Sequence, residues 1–215
     1  MSILKGFFFA FLLLSAMNSR SQTTPSPAKD FFSWSQLSPL PDPDGLAVAF
    51  AVVSNGALIV AGGTNFPGNG RPWAGGAKTW YDKVYVLSRP DGAWSAAGRL
   101  PRPLGYGISI TGAGGLICLG GGDAERAYAT AFILRYRNGG IETENLPFLP
   151  APLTNGCGVL VKDRLYVAGT IQVLGGAMEN CFWSIDLSAA VKKWETLPSL
   201  PGPARILAAA GAGAD

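Results

Sequence analysis

The chain has 215 residues, 29 of them Gly and 16 Pro, with 14% charged and a net charge of +3. That composition suits a turn-rich β protein and falls far short of the basic stripe that nucleic-acid binding requires. There is no His, which excludes Ser-His-Asp and Cys-His catalysis, HExxH zinc chemistry and imidazole-bound copper within these residues. Any proton transfer here falls to Asp, Glu, Tyr, Lys or an Arg-assisted group.

In chain order, a single positive charge at Lys5 precedes an almost wholly apolar run over 6–17, followed by Ser19-Arg20-Ser21. This is the layout of a secretory signal peptide over 1–21, cleaved on export to the periplasm or beyond. The apolar run is too short to span a bilayer comfortably, and Gln22 offers no thiol for lipidation. Residues 22–33, with "TTPSPAK", read as a leader without structure of its own. No second apolar segment of spanning length follows, so 34–215 is expected to be soluble and free of the membrane after cleavage.

The rest of the chain repeats. "GALIVAGGT" (56–64), "GGLICLGGG" (114–122) and "DRLYVAGT" (163–170) are versions of one strand, offset by 58 and 49 residues at Leu58, Leu116 and Leu165. An apolar strand precedes each copy, in "GLAVAFAVVSNG", "GYGISITGAG" and "GCGVLVKD". A third strand follows each, in "KVYVL", "TAFILRYR" and "CFWSIDL", and then a fourth, marked by Trp94 and Trp194 and in the second copy by Ile141-Glu142-Thr143.

Four short strands per unit at a period near fifty, with a diglycine after the second, is the kelch β-propeller pattern. A β-sandwich with coincidental spacing is the competing reading, and three in-phase copies stand against it. The expected fold is therefore all-β, a kelch-type β-propeller with blades over about 45–98, 105–147 and 156–198. "WSQLSPLPDPDG" (34–45), with Trp34, reads as the last strand of a preceding blade, and 204–215 as the first strand of the next. Propellers close with four or more blades, so the chain reads as incomplete. The diglycines fit inner strands that crowd the axis. The three Cys, at 118, 157 and 181, leave at least one thiol unpaired; Cys118 reads as a small buried residue, and a Cys157–Cys181 bridge stays open.

Antiparallel topology then sorts the loops. The second-to-third-strand loops and the connectors between blades fall at one rim, which gathers Asp44, Asn65, Arg71, Lys78, Asp82, Arg102, Tyr106, Glu125, Arg126, Glu179, Asn180 and Arg205. The excursion over 64–82 is long and carries Trp73, Trp80 and Tyr81, which suits an ordered binding surface. Aromatic rings interleaved with Arg, Asn and Asp suit a sugar, since ring faces meet indole and hydroxyls meet amides and carboxylates. Substrate-binding candidates are Asn65, Arg71, Lys78, Arg102, Tyr106 and Arg205, and no metal site is expected. Gly68-Asn69-Gly70 is a turn and not a phosphate loop, because no Lys-Ser/Thr follows.

The stretches "PDPDGLAVAFAVVSNGALIVAGGTNFPG", "YDKVYVL" and "GRLPRPLGYGISI" with "GGLICLGGG" resemble the sialic-acid mutarotase (N-acetylneuraminate epimerase) family, six-bladed kelch propellers of the bacterial periplasm. "VKKWETLPSLPGPAR" resembles that family's N-terminal region yet comes last here, as in its cyclically permuted branch. The resemblance implies interconversion of N-acetylneuraminate anomers by acid/base ring opening, with a small sugar acid as ligand and no cofactor. It also implies an Arg on the substrate carboxylate, and it carries Arg102, Tyr106 and Arg205 over as pocket residues. The family's catalytic Glu and its nearby Arg match no stretch here. "GGAMENC" has the Glu without the Arg, and Ile206 stands where an acidic residue is usual, so the catalytic residues are expected beyond 215. The alternative is a non-catalytic kelch propeller that binds a carbohydrate or protein partner; galactose-oxidase-like copper chemistry would need imidazoles that these blades lack.

Overall fold

The computed structural model describes residues 32–112, 114–172 and 177–213; the expected signal peptide over 1–21 and most of the expected leader over 22–33 lie outside the described residues. Two compact units divide the chain, Met1–Gln36 and Leu37–Asp215. In the first, the described residues form no strand, and Trp34 is exposed with its ring 6.5 Å from that of Phe32. The expected strand at Trp34 is therefore not formed.

The second unit holds every described strand. The first copy of the repeat forms β1 (Phe50–Ser54), β2 (Ala57–Ala61), β3 (Thr64–Asn65), β4 (Thr79–Trp80), β5 (Lys83–Leu87) and β6 (Trp94–Arg99). The second forms β7 (Ile108–Gly112), β8 (Gly115–Leu119), β9 (Ala131–Arg137) and β10 (Gly140–Asn145). The third forms β11 (Cys157–Val161), β12 (Arg164–Gln172), β13 (Met178–Asp186) and β14 (Glu195–Thr196). Each copy folds into one antiparallel four-stranded meander, in the orders β1-β2-β5-β6, β7-β8-β9-β10 and β11-β12-β13-β14, while β3 and β4 make a separate two-stranded ribbon. First strands lie beside first strands, β1 against β7 and β7 against β11, and β6 lies against β10. This is the blade arrangement of a β-propeller.

Packing explains why the strands of the middle sheet read as unbroken apolar runs. Leu116, Cys118, Phe132 and Leu134 face the first sheet, against Phe50, Ile59, Val84 and Val86. Their neighbours Ile117, Leu119, Ala131 and Ile133 face the third, against Leu165, Val167, Trp183 and Ile185. Both faces of β8 are thus dry, and each fully buried Leu or Ile contributes about 1.5–3 kcal/mol. The strand-four tryptophans tie sheets together as well. Trp94 Nε1 donates to Ser38 O (2.8 Å) and Trp194 Nε1 to Pro147 O (2.9 Å), each reaching back to the segment before its own blade.

The diglycines answer to the connector of the next blade. The Gly63 amide donates to Leu104 O (2.8 Å) and the Gly121 amide to Leu153 O (2.9 Å). A Cβ on Gly62 would sit 2.4 Å from Leu104 O, and one on Gly120 would sit 2.1 Å from Leu153 O, at left-handed φ of 66° and 64°. In the third blade Thr170 replaces the second glycine, and its hydroxyl takes over, donating to Arg205 O (2.6 Å) and accepting from the Arg205 amide (2.8 Å). A second chain of bonds runs around the axis: Tyr106 N–H to Val48 O (3.0 Å), Asn155 N–H to Tyr106 O (2.8 Å) and Leu207 N–H to Asn155 O (3.0 Å). All four residues stand one or two positions before a first strand or its equivalent, and all have positive φ, between 51° and 63°. Residues 204–213 pair into no strand and are joined to the repeat through Arg205 and Leu207.

The open question of the cysteines is settled by register. Cys157 pairs with Ala168, and Ala168 with Phe182, the neighbour of Cys181. With β12 between them the two Cα atoms are about 10 Å apart, beyond the reach of roughly 7 Å for a disulfide. All three thiols are free, and burial raises the Cys181 pKa to about 11. Thiol titration of the denatured protein, purified without reductant, should therefore count three thiols; a count of one would contradict the register. A second expectation concerns Gly120→Ala, which should lower the urea midpoint far more than Gly56→Ala. Gly56 has the same left-handed φ but open space around it, so its cost is about 1–2 kcal/mol. Equal losses would remove the close-approach account.

Candidate functional site

The 62–82 excursion leaves β2 and returns to β5 on the rim shared with the blade connectors. Its base is stitched by short-range polar contacts. Asn65 is buried; its Nδ2 donates to Gly45 O (2.8 Å) and Asp42 Oδ1 (3.1 Å), and its Oδ1 accepts from the Tyr81 hydroxyl (2.7 Å). The Asp44 carboxylate accepts from the Gly68 amide (3.2 Å). Asn65 thus fastens both ends of the excursion to the segment before β1, and its amide is spent on the protein. Asp42, which pattern reasoning did not single out, is part of the same clasp.

Beyond the clasp, β3 and β4 pair Thr64 with Trp80 and Asn65 with Thr79. Two short 3-10 turns, Pro67–Asn69 and Pro72–Ala74, form the outer part of the loop. Arg71 and Trp73 are exposed there, with the guanidinium 5.9 Å from the indole centre. Lys78 turns inward. Its Nζ donates to the Tyr106 hydroxyl and lies 4.4 Å from the Tyr106 ring centre, 5.3 Å from that of Trp80 and 5.8 Å from that of Phe66. The excursion therefore meets Tyr106 directly, although 28 residues separate Lys78 from it. Thr64 Oγ1 and Trp80 Nε1, on paired residues of the ribbon, are buried with no hydrogen-bond partner among the described residues. A polar group left in that state costs about 1–3 kcal/mol.

A second polar group lies on the loop between β8 and β9. Asp123 Oδ1 accepts from the amides of Glu125 (2.9 Å) and Arg126 (3.1 Å), and Oδ2 accepts from the Tyr128 hydroxyl. The Tyr128 hydroxyl, followed by the Glu125 amide, holds the Asp123 carboxyl below its ordinary pKa. Arg102 stacks on Tyr128 with its guanidinium 4.4 Å from the ring centre, and Arg126 is 5.2 Å from it. Tyr128 is thus the hub of this loop; no motif marked it. The remaining candidate, Arg205, is committed to its own turn, with Nη2 donating to Pro201 O (2.7 Å) and Nε to Pro203 O (3.3 Å). Of the six residues predicted to bind substrate, the structure brings Lys78 and Tyr106 into contact. Asn65 and Arg71 stand on the same excursion as Lys78, Asn65 bonded to the segment before β1 and Arg71 beside Trp73, whereas Arg102 and Arg205 engage other partners.

Open hollows lie among the same loops and connectors. One of about 470 Å³ is lined by Asp44–Ala47 and Thr64–Phe66. Another of about 360 Å³ lies between the second and third blades, lined by Ala127, Pro152, Thr154, Thr170, Ile171 and Met178. Around them the rim offers the Lys78 ammonium, the Tyr106 hydroxyl and the exposed Trp73 indole, none of which lines either hollow, and the Thr154 hydroxyl, which lines the second. Those are groups suited to a polar ligand with an apolar face.

A family model described as N-acetylneuraminate epimerase matches residues 16–142. The N-acetylneuraminate epimerase of Yersinia pestis (strain Pestoides F) is 43% identical over 86 residues, covering 36% of this chain and 21% of its own length. N-acetylneuraminate epimerase 1 of Escherichia coli O6:H1 is 38% identical over 100 residues, 43% of this chain and 26% of its own. The Brucella suis enzyme of the same name is 35% identical over 127 residues, 52% of this chain and 32% of its own. The chain thus spans between a fifth and a third of the length of these relatives. Among solved structures, that titled "Structure of YjhT" is 30% identical, covers 53% of this chain and 34% of its own, and superposes with a TM-score of 0.47. Since the matched family segment takes in more than half of the chain, including the excursion, Lys78 and Tyr106, the protein belongs to the N-acetylneuraminate epimerase family.

Proposed function

We propose that the whole protein interconverts the anomers of N-acetylneuraminate, with the loop rim of the propeller as the binding face. The observation that carries this reading is the overlap of two facts. The segment matching the family model contains both the 62–82 excursion and Tyr106, and those two elements meet through Lys78. The reaction needs a base to take the proton from the anomeric hydroxyl and an acid to protonate the ring oxygen. The bond between the anomeric carbon and the ring oxygen breaks, leaving an open-chain ketone. Rotation and re-closure on the other carbonyl face give the second anomer, with no net change in atoms or electrons. Such acid/base assistance is worth about 10²–10⁴-fold.

The acid and base are assigned to parts of the whole protein outside the rim residues described above, which in this reading bind and orient the sugar. Export through a signal peptide over 1–21 is part of the same proposal and puts the activity in the periplasm. Among the described residues no helix is long and apolar enough to cross a membrane.

Proton NMR saturation transfer between the two anomers tests the proposal. The whole protein should speed their exchange well above the rate in buffer. Exchange at the buffer rate would remove the enzymatic reading.

A further inference from the structure

We infer that Lys78 is the residue that selects an acidic sugar over a neutral one, by pairing its ammonium with the substrate carboxylate. This rests on the sugar-acid reading above and deepens it, because it names the group that reads the charge. Of the five cations on the rim, Arg126 lies over the Tyr128 ring; the other four are the substrate-binding candidates, and the geometry separates them. Arg205 is spent on the carbonyls of Pro201 and Pro203. Arg102 is stacked on Tyr128, and Arg71 lies on an exposed turn beside Trp73. Lys78 is half-buried and walled by the rings of Phe66, Trp80 and Tyr106. It takes part in none of the ion pairs formed among the described residues.

An ammonium carries three donors, and the Tyr106 hydroxyl accepts one of them. The aromatic walls stabilise the cation without neutralising it, and they lower the local polarity, so that an incoming anion gains more there than in water. Tyr106 is the fixed side of this arrangement. Its backbone is bonded on both sides, to Val48 O and from the Asn155 amide, and it is held at φ 63°. A bulky side chain at left-handed φ is uncommon and persists where its surroundings impose it. Tyr106 is therefore a positioning residue for Lys78. The unpartnered Trp80 Nε1 and Thr64 Oγ1 on the adjoining ribbon are further polar atoms that the fold itself leaves unused.

The test compares N-acetylneuraminate with its uncharged methyl ester by calorimetric titration of the whole protein. The wild type should prefer the acid by about tenfold or more, the range of one charge-assisted hydrogen bond. Lys78→Met should lose that preference through a fall in acid affinity much larger than any fall in ester affinity, and Lys78→Arg should restore part of it. Tyr106→Phe should weaken acid binding more than ester binding. On the wild type alone, acid affinity should fall with added salt while ester affinity stays flat, a readout that needs no variant to fold. Equal loss of acid and ester in Lys78→Met, an unchanged preference, or a flat salt response for the acid would each overturn the inference. A wild type that interconverts anomers with an unmoved preference in Lys78→Met sinks the Lys78 assignment alone. A wild type that neither binds nor interconverts N-acetylneuraminate sinks both readings.

Discussion

The close approach of one blade's connector to the diglycine of the blade before it is the constraint on which the rest depends. Leu104 and Leu153 present their carbonyls to Gly63 and Gly121 at hydrogen-bond distance, with no room for a Cβ on Gly62 or Gly120. These bonds and the series from Val48 through Tyr106 and Asn155 to Leu207 join backbone to backbone across the blade boundaries. Backbone polar groups at such a boundary would otherwise be buried unpaired, which folded proteins seldom allow. Thr170 shows that the requirement is for a donor and not for glycine as such, since its hydroxyl reaches Arg205 O where a second glycine amide would.

That lattice also explains why the rim can hold a site. The excursion over 64–82 is long for a loop between paired strands, yet Asn65, Asp42 and Tyr81 clasp its base and Lys78 docks its far side on Tyr106. Tyr106 belongs to the next connector and is itself held by the axial series. A site of this kind sits on loops but takes its rigidity from the sheets beneath, which is how propellers and other scaffolds carry binding groups. The second hub, Asp123 with Tyr128 and Arg102, is built the same way, with the connector residue Arg102 stacked on the loop residue Tyr128.

Much of this was legible in the sequence, and the reasons are physical. The period of about fifty, the diglycines and the apolar runs place the strands, because blades packed on both faces leave little room for polar residues, as in β8. Antiparallel topology put the excursion and Tyr106 on one rim, but their direct meeting through Lys78 had no signal in the strand order. The tryptophan at strand four was visible as a marker, but its use was not: Trp94 and Trp194 bond back to Ser38 and Pro147, whereas Trp34 stands exposed in no strand. Left-handed φ at Val48 and Tyr106 had no local signal either, since a β-branched or aromatic residue would be expected to avoid it; only the neighbouring blades impose it. Asn65 and Arg205 look like ligand groups by type, yet local carbonyls and carboxylates claim them, and residue type cannot report that competition.

The central claim is that connector backbone locks blade to blade, and amide hydrogen exchange of Tyr106 and Asn155 tests it most directly. These residues lie in connectors, where exposed amides exchange quickly, but the axial bonds predict protection comparable to that of Ile117 or Val167 in the strands. Exchange as fast as at the turn residue Gly139 would mean that the axial bonds do not hold in solution, and the fixed placement of Tyr106 against Lys78 would lose its support.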